Sequence, residues 1–174
     1  YGKPKYKDLI INKLMDLKED GSFKLNMNYF NYATGLTMTN KSFSKLFGHP
    51  VRDPQKNLLN DFHMDIAASI QSVTEEVVLR LTKKIANDYN VKNLCLAGGV
   101  ALNCVANGKI LKDKIFENIW VQPAAGDAGG SLGAALTFWY QELKNPRTVF
   151  KDQMKGSFLG PKFNDEFIEK KLKT

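Results

Sequence analysis

A chain of 174 residues that is 43% hydrophobic and 25% charged has the balance of one ordinary soluble domain, which excludes a disordered or fibrous polypeptide. Its most apolar run, Ser131 to Tyr140, is about half the roughly 20 residues that a membrane helix needs, and no charged-then-apolar leader is seen. The expectation is a protein that neither spans a membrane nor is secreted. Two cysteines, Cys95 and Cys104, and two histidines, His49 and His63, are too few and scattered for a disulfide framework or a histidine-built zinc site, so a reducing, cytoplasmic setting is expected. The net charge of +7 is concentrated late: Lys144 to Thr174 holds eight Lys/Arg against four Asp/Glu. Those cations are spread out and lack the aromatic interleaving of a strand-binding surface. They read as a solvated tail, with no nucleic-acid or membrane partner expected.

The chain opens at Tyr1 without a methionine and stops at Thr174, within a helix expected to start near Asn164, and so reads as a piece of a longer protein. From Tyr6 to Lys18, Leu9, Ile10, Leu14 and Leu17 have the spacing of a one-sided helix, ended by the turn residues Asp20-Gly21-Ser22. Phe23, Leu25, Met27 and Tyr29 alternate with polar residues, the pattern of a half-buried strand. Residues 31–52 predict a loop or short hairpin followed by a short helix capped near Asn40. The longest periodic element runs from Asn60 to Tyr89, with Phe62, Ile66, Ile70, Val73, Val77, Leu81 and Ile85 along one stripe. Asn93 to Ala97 is nearly all apolar, as in a strand covered on both faces. A helix from about Ala101 to Leu111, a strand from Asn118 to Gln122 and a helix through Leu132, Leu136, Trp139 and Leu143 complete an alternation that predicts α/β architecture with parallel strands. Gly156 to Pro161 reads as a linker.

Two glycine loops stand where strands give way to helices. In Leu96-Ala97-Gly98-Gly99-Val100-Ala101-Leu102-Asn103, the missing Cβ atoms allow a ligand to approach the backbone, and a helix N-terminus offers N–H groups. A tight turn explains the same glycines equally well. The dinucleotide pattern fails, because the glycine after Gly98 and Gly99 is Gly108, and the P-loop pattern fails at Asn103 and Ile110. Asn103 and Asn107 share a helix face and are either surface amides or groups reaching toward a sugar or phosphate. In Gly126-Asp127-Ala128-Gly129-Gly130-Ser131-Leu132-Gly133, small neighbours leave the Asp127 carboxylate room to meet a cation, but a helix cap is an equal use of that residue. Gly129, Gly130 and Gly133 suit either loop chemistry or close helix packing. Cys104 reads as an inert buried thiol, and His63 as structural.

Taken together, the run from Asn93 to Lys109 and the run from Ile119 to Ala135 resemble the carbamoyltransferase family of nodulation protein U and the antibiotic O-carbamoyltransferases. Tyr29 to Asn40 and His63 to Gln71 extend the likeness over most of the chain. The resemblance implies an actin-like ATPase (ribonuclease H-like) fold, with residues 1–155 forming mainly its second, C-terminal lobe and residues 156–174 a linker and the start of the next segment. It implies transfer of a carbamoyl group from carbamoyl phosphate, by way of ATP-derived carbamoyl adenylate, to the hydroxyl of a small molecule, with a YrdC-like domain of the same protein making the adenylate. Gly98, Gly99 and Asn103 would then hold the adenosine part of ATP. Asp127 would ligate a divalent metal, iron being expected, alongside a His-x-x-x-His pair. That pair is missing here, as are the first lobe and the YrdC-like domain, so half of an active site is expected, with its catalytic residues unassigned and activity absent from this piece alone. Self-association is left open. The rival readings are an actin-fold small-molecule kinase and a nucleotide-binding module without activity of its own.

Overall fold

The structure is a computed structural model and describes residues 1–148, 154, 157 and 160–173. It is mixed α/β and falls into two compact units: Tyr1–Leu94 with Asn103–Ile119, and Cys95–Leu102 with Trp120–Thr174. No helix among the described residues is long and apolar enough to cross a membrane.

The first unit is organised on the long helix α3 (Asp61–Tyr89), preceded by α1 (Lys7–Leu9) and α2 (Lys41–Phe47) and followed by α4 (Cys104–Asp113). The one-sided helix expected through Lys18 is cut short. After α1 a π-helical turn, Ile10–Leu14, leads into strand β1 (Met15–Leu17), which pairs antiparallel with β2 (Phe23–Leu25) in the register Met15↔Leu25 and Leu17↔Phe23. A strand partner within reach outweighs local helical periodicity here. Gly21 makes the hairpin turn at φ +86, and a Cβ there would lie 2.5 Å from the Leu81 backbone nitrogen, so the turn sits directly on α3. The strand expected to reach Tyr29 ends at Leu25, because the Asn26 side chain accepts from the Asn28 N–H and starts a 3-10 turn at Met27–Tyr29.

Helix starts are where sequence and structure agree best. Asn40 caps α2, accepting from the Ser42 and Phe43 N–H groups, and Asn60 caps α3 in a capping box with His63, whose Nδ1 accepts from the Asn60 N–H. Ile10, Leu14, Phe47, Val73 and Val77 form the core, with Phe62 and Ile66 packed against it. The apolar stripe of α3 is buried only in its middle, and Ile70, Leu81 and Ile85 are exposed.

β3 (Asn93–Leu96) and β4 (Asn118–Val121) form a two-stranded sheet. The Lys92 carbonyl accepts from Glu117 N–H and the Leu96 carbonyl from Gln122 N–H, so the strands run in the same direction, as the alternation of elements predicts. The expectation that β3 is covered on both faces is corrected: Leu94 is buried, but the next residue, Cys95, is exposed. A two-stranded sheet has no neighbouring layer to close its second face. In the second unit, α5 (Ala128–Thr137) continues into a π-helical turn, Phe138–Glu142. The helix is where it was expected, yet Leu132, Leu136, Trp139 and Leu143 are exposed. α6 (Asp165–Leu172) starts at its cap Asn164. The expected boundary at 155/156 and half of the expected linker, residues 156, 158 and 159, lie outside the described residues.

Candidate functional site

Within the second unit, the two glycine loops meet. β3 ends at Leu96, the chain turns through Gly98 at φ +100, and the Gly98 N–H donates to the Ala125 carbonyl at 2.7 Å. The same turn closes on itself through the Ala101 N–H to the Gly98 carbonyl at 3.0 Å, giving the 3-10 segment Gly99–Leu102. Ala101 and Ala125 are the buried residues of this junction. Both loops therefore lie at the carboxyl ends of parallel strands, where open α/β sheets bind ligands.

The glycines can now be told apart. A Cβ on Gly98 or Gly99 would meet nothing within 4 Å. Gly98 is required by its positive φ, but Gly99 has neither a left-handed backbone nor a packing neighbour to demand it. Its missing side chain leaves backbone open to a ligand. Gly129 is the opposite case, since a Cβ there would overlap the Ala124 carbonyl oxygen, whereas Gly130 and Gly133 face open space. Of the three glycines open to a packing role, Gly129 alone has a packing partner among the described residues.

Asp127 precedes α5 with helical backbone angles and makes no side-chain capping hydrogen bond. The cap reading thus loses its physical content, and the carboxylate is exposed. Among the described residues, no three His, Cys, Asp or Glu side chains group to hold a metal. A lone carboxylate fits one corner of a coordination shell and cannot hold an ion by itself.

Asn103 belongs to the first unit. It is the N-cap of α4, its Oδ1 accepting from the Ala106 N–H at 3.1 Å, so the helix expected from Ala101 starts at Cys104 instead. Across from it on α3, Gln71 Nε2 donates to Asn103 Oδ1 at 3.1 Å, and Asn103 Nδ2 donates back to Gln71 Oε1 at 2.9 Å. Gln71 Nε2 also donates to Glu75 Oε1 at 2.9 Å, and Lys109 is ion-paired to Glu75 Oε2. Burial pushes the Glu75 carboxyl up, but its bonds from Lys109 and Gln71 outweigh that and hold it below the usual 4.5. Gln71, Glu75 and Lys109 were not legible as site residues, because partners 32 and 34 positions apart leave no local pattern.

Cys104 is exposed, which corrects the expected buried thiol: α4 turns Ala106 and Ile110 inward instead. His63 is engaged in the α3 cap, and His49 stacks on Phe62 with ring centroids 3.8 Å apart.

Comparison with known proteins matches residues 1–136 to the family described as the N-terminus of carbamoyltransferases. An uncharacterized protein of Synechocystis sp. is 63% identical over 174 residues, covering 99% of this chain and 28% of that protein. Nodulation protein NolNO of Sinorhizobium fredii is 40% identical over 111 residues, 63% of this chain and 16% of its own. An uncharacterized protein of Methanocaldococcus jannaschii is 28% identical over 173 residues, 99% of this chain and 26% of its own. The chain thus spans 16% to 28% of the length of these relatives. A match over residues 1–136 and identity at this level make the chain a member of the carbamoyltransferase family.

Proposed function

We propose that the full-length protein is an ATP-dependent O-carbamoyltransferase that passes a carbamoyl group from carbamoyl phosphate, by way of carbamoyl adenylate, to the hydroxyl of a small acceptor. The observation that carries this reading is the Gly98-Gly99 turn: an unobstructed glycine backbone at the end of a strand, hydrogen-bonded to the Asp127 loop, in a chain of the carbamoyltransferase family. In this reading residues 1–155 are mainly the second lobe of an actin-like ATPase fold, and a YrdC-like domain of the same protein makes the adenylate.

The role of this chain is binding and orientation. Gly98 and Gly99 let the adenosine part lie against the backbone, which a side chain would hold away. Asp127 contributes one anionic ligand to a divalent metal whose other ligands come from outside these residues, and the metal would supply charge stabilisation to the carbamoyl oxygen when bound. The described residues group no further ligands around it and so supply only part of that ion's site.

The test is product analysis with the full-length protein given ATP, carbamoyl phosphate and a panel of hydroxylated small molecules. Carbamoylated acceptor with AMP is expected. Phosphorylated acceptor with ADP would overturn the reading in favour of an actin-fold kinase. A parallel Gly99→Val variant should lose more than about tenfold in ATP affinity, roughly 1.4 kcal/mol, while remaining folded.

A further inference from the structure

One cavity of the first unit carries more positive charge than its own ion pairs neutralise. It has a volume of about 290 Å³ and lies between α1, α3 and α4, where Lys7, Arg80, Lys83 and Lys109 surround two carboxylates, Glu75 and Glu76. Lys7 and Arg80 share Glu76, and Lys109 pairs with Glu75. Lys83 finds its partner, Asp113, outside the lining. Burial pushes the Glu75 carboxyl up but Lys109 and Gln71 outweigh it, and the bond from Lys7 holds Glu76 down, so both are charged at neutral pH. Four cations against two carboxylates leave the lining at +2, and with Asp113 counted one positive charge is still in excess. The fold gathers this surplus from positions 7, 80, 83 and 109.

Hydrogen-bond donors are in surplus too. Arg80 has five N–H bonds and, among the described residues, directs them at Glu76 and the Lys18 carbonyl alone. Ser72 lines the same cavity. Of the serines and threonines of α3, Ser69, Thr74 and Thr82 each donate back to a carbonyl of their own helix, as such hydroxyls commonly do. The Ser72 hydroxyl has no hydrogen bond among the described residues.

We propose that this cavity binds a phosphate group, with Lys7, Arg80, Lys83 and Lys109 supplying the charge and Ser72 a hydroxyl donor. A phosphate monoester carries about −1.5 to −2 at pH 7 and three acceptor oxygens, which answers both surpluses; a carboxylate brings roughly half that charge. The guanidinium of Arg80, fixed by Glu76 and the Lys18 carbonyl, offers the planar fork that suits such an anion. A second cavity of about 480 Å³ shares Ser72, Glu75 and Lys109 with the first and adds Gln71 and Ala67, leaving room for the organic part of an ester. The site lies within the first unit, and it stands whether or not the Gly98-Gly99 turn binds ATP.

The experiment labels lysines of the full-length protein with an amine-acylating reagent and reads each by peptide mass spectrometry. Inorganic phosphate and glucose 6-phosphate are the probes, with ionic strength matched by potassium chloride. Both should slow acylation of Lys7, Lys83 and Lys109 several-fold and leave the exposed Lys45 and Lys112 unchanged. Stronger protection by glucose 6-phosphate assigns the site to a phosphorylated metabolite, and equal or weaker protection assigns it to free phosphate. Ser72→Ala and Lys83→Gln should each raise the concentration that half-protects Lys109 by about threefold to fivefold. Lys83→Arg, which keeps the charge, should raise it less. No protection by either probe overturns the proposal, and so does equal slowing at Lys45 and Lys112, the mark of general ionic shielding. Protection unchanged in both Ser72→Ala and Lys83→Gln would also overturn it, by placing the phosphate elsewhere.

Discussion

Gly99 and Gly129 belong to loops of one pattern and have opposite reasons to be glycine. A Cβ at Gly99 meets open space, and one at Gly129 overlaps the Ala124 carbonyl. Gly99→Ala should therefore leave stability within about 0.5 kcal/mol of wild type, whereas Gly129→Ala should cost about 1–3 kcal/mol through overpacking. Chemical denaturation of the two full-length variants checks this, and equal losses would refute the distinction. Asp127 allows a sharper prediction. Its side chain caps no helical N–H, so Asp127→Asn and Asp127→Ala should both unfold within about 0.5 kcal/mol of wild type. If it is a metal ligand, both should lose most of the bound iron and the carbamoyl transfer, because a neutral amide replaces an anionic ligand poorly. Full iron and full activity in Asp127→Asn would end the ligand role. The glycine loops were legible in the sequence because glycine declares backbone geometry locally. The division of labour among the glycines was not, because it depends on which carbonyl lies opposite.

At the scale of elements, α3 is held at its start by the Asn60–His63 capping box and along its length by carboxylates paired with other segments. Asn60→Ala should cost about 1 kcal/mol, while His63→Gln, which can still accept from the Asn60 N–H, should cost less. Thermal melting of both variants compares them, and the reverse order would refute the capping role of His63. Asp65 accepts from the Lys3 N–H at 2.7 Å and pairs with Lys5, and Glu76 pairs with Lys7 and Arg80. The bond from Lys5 holds Asp65 below the usual 3.8, and the bond from Lys7 holds Glu76 below 4.5. Groups whose folded values are depressed stabilise fully above their unfolded values and lose that contribution as pH falls through the folded ones. The melting temperature of the full-length protein should thus hold steady from about pH 7 to 5 and fall below about pH 4.5. Replacing Glu76 with Gln should flatten part of that acid loss, and an unchanged profile would show that the pairing contributes nothing. The cap at Asn40 and the starts of the helices near Asn60 and Asn164 could be read from sequence, since Asn before an apolar-periodic run acts within three residues. The hairpin Met15–Leu25 could not, because its first strand carries helical periodicity and only its partner overrules it.

For the molecule as a whole, the expectation is that residues 1–174 alone do not carry out transfer, since the relatives are several times longer and the described residues group no metal site. Purified residues 1–174 supplied with ATP, carbamoyl phosphate and acceptor should yield no carbamoylated product. Turnover would show that the remaining polypeptide is dispensable.

Sequence alone determined the family, the α/β alternation, the helix starts at Asn40, Asn60 and Asn164 and the place of both glycine loops, because these rest on interactions between near neighbours and on motifs carried in contiguous runs. Tertiary structure decided that β1 leaves the helix, that one face of β3 and the apolar side of α5 stay open, and that Asn103 is paired with Gln71, which in turn donates to Glu75. Those outcomes turn on which distant groups reach each other, and a hydrogen bond across 32 positions has no signature in either partner's neighbours.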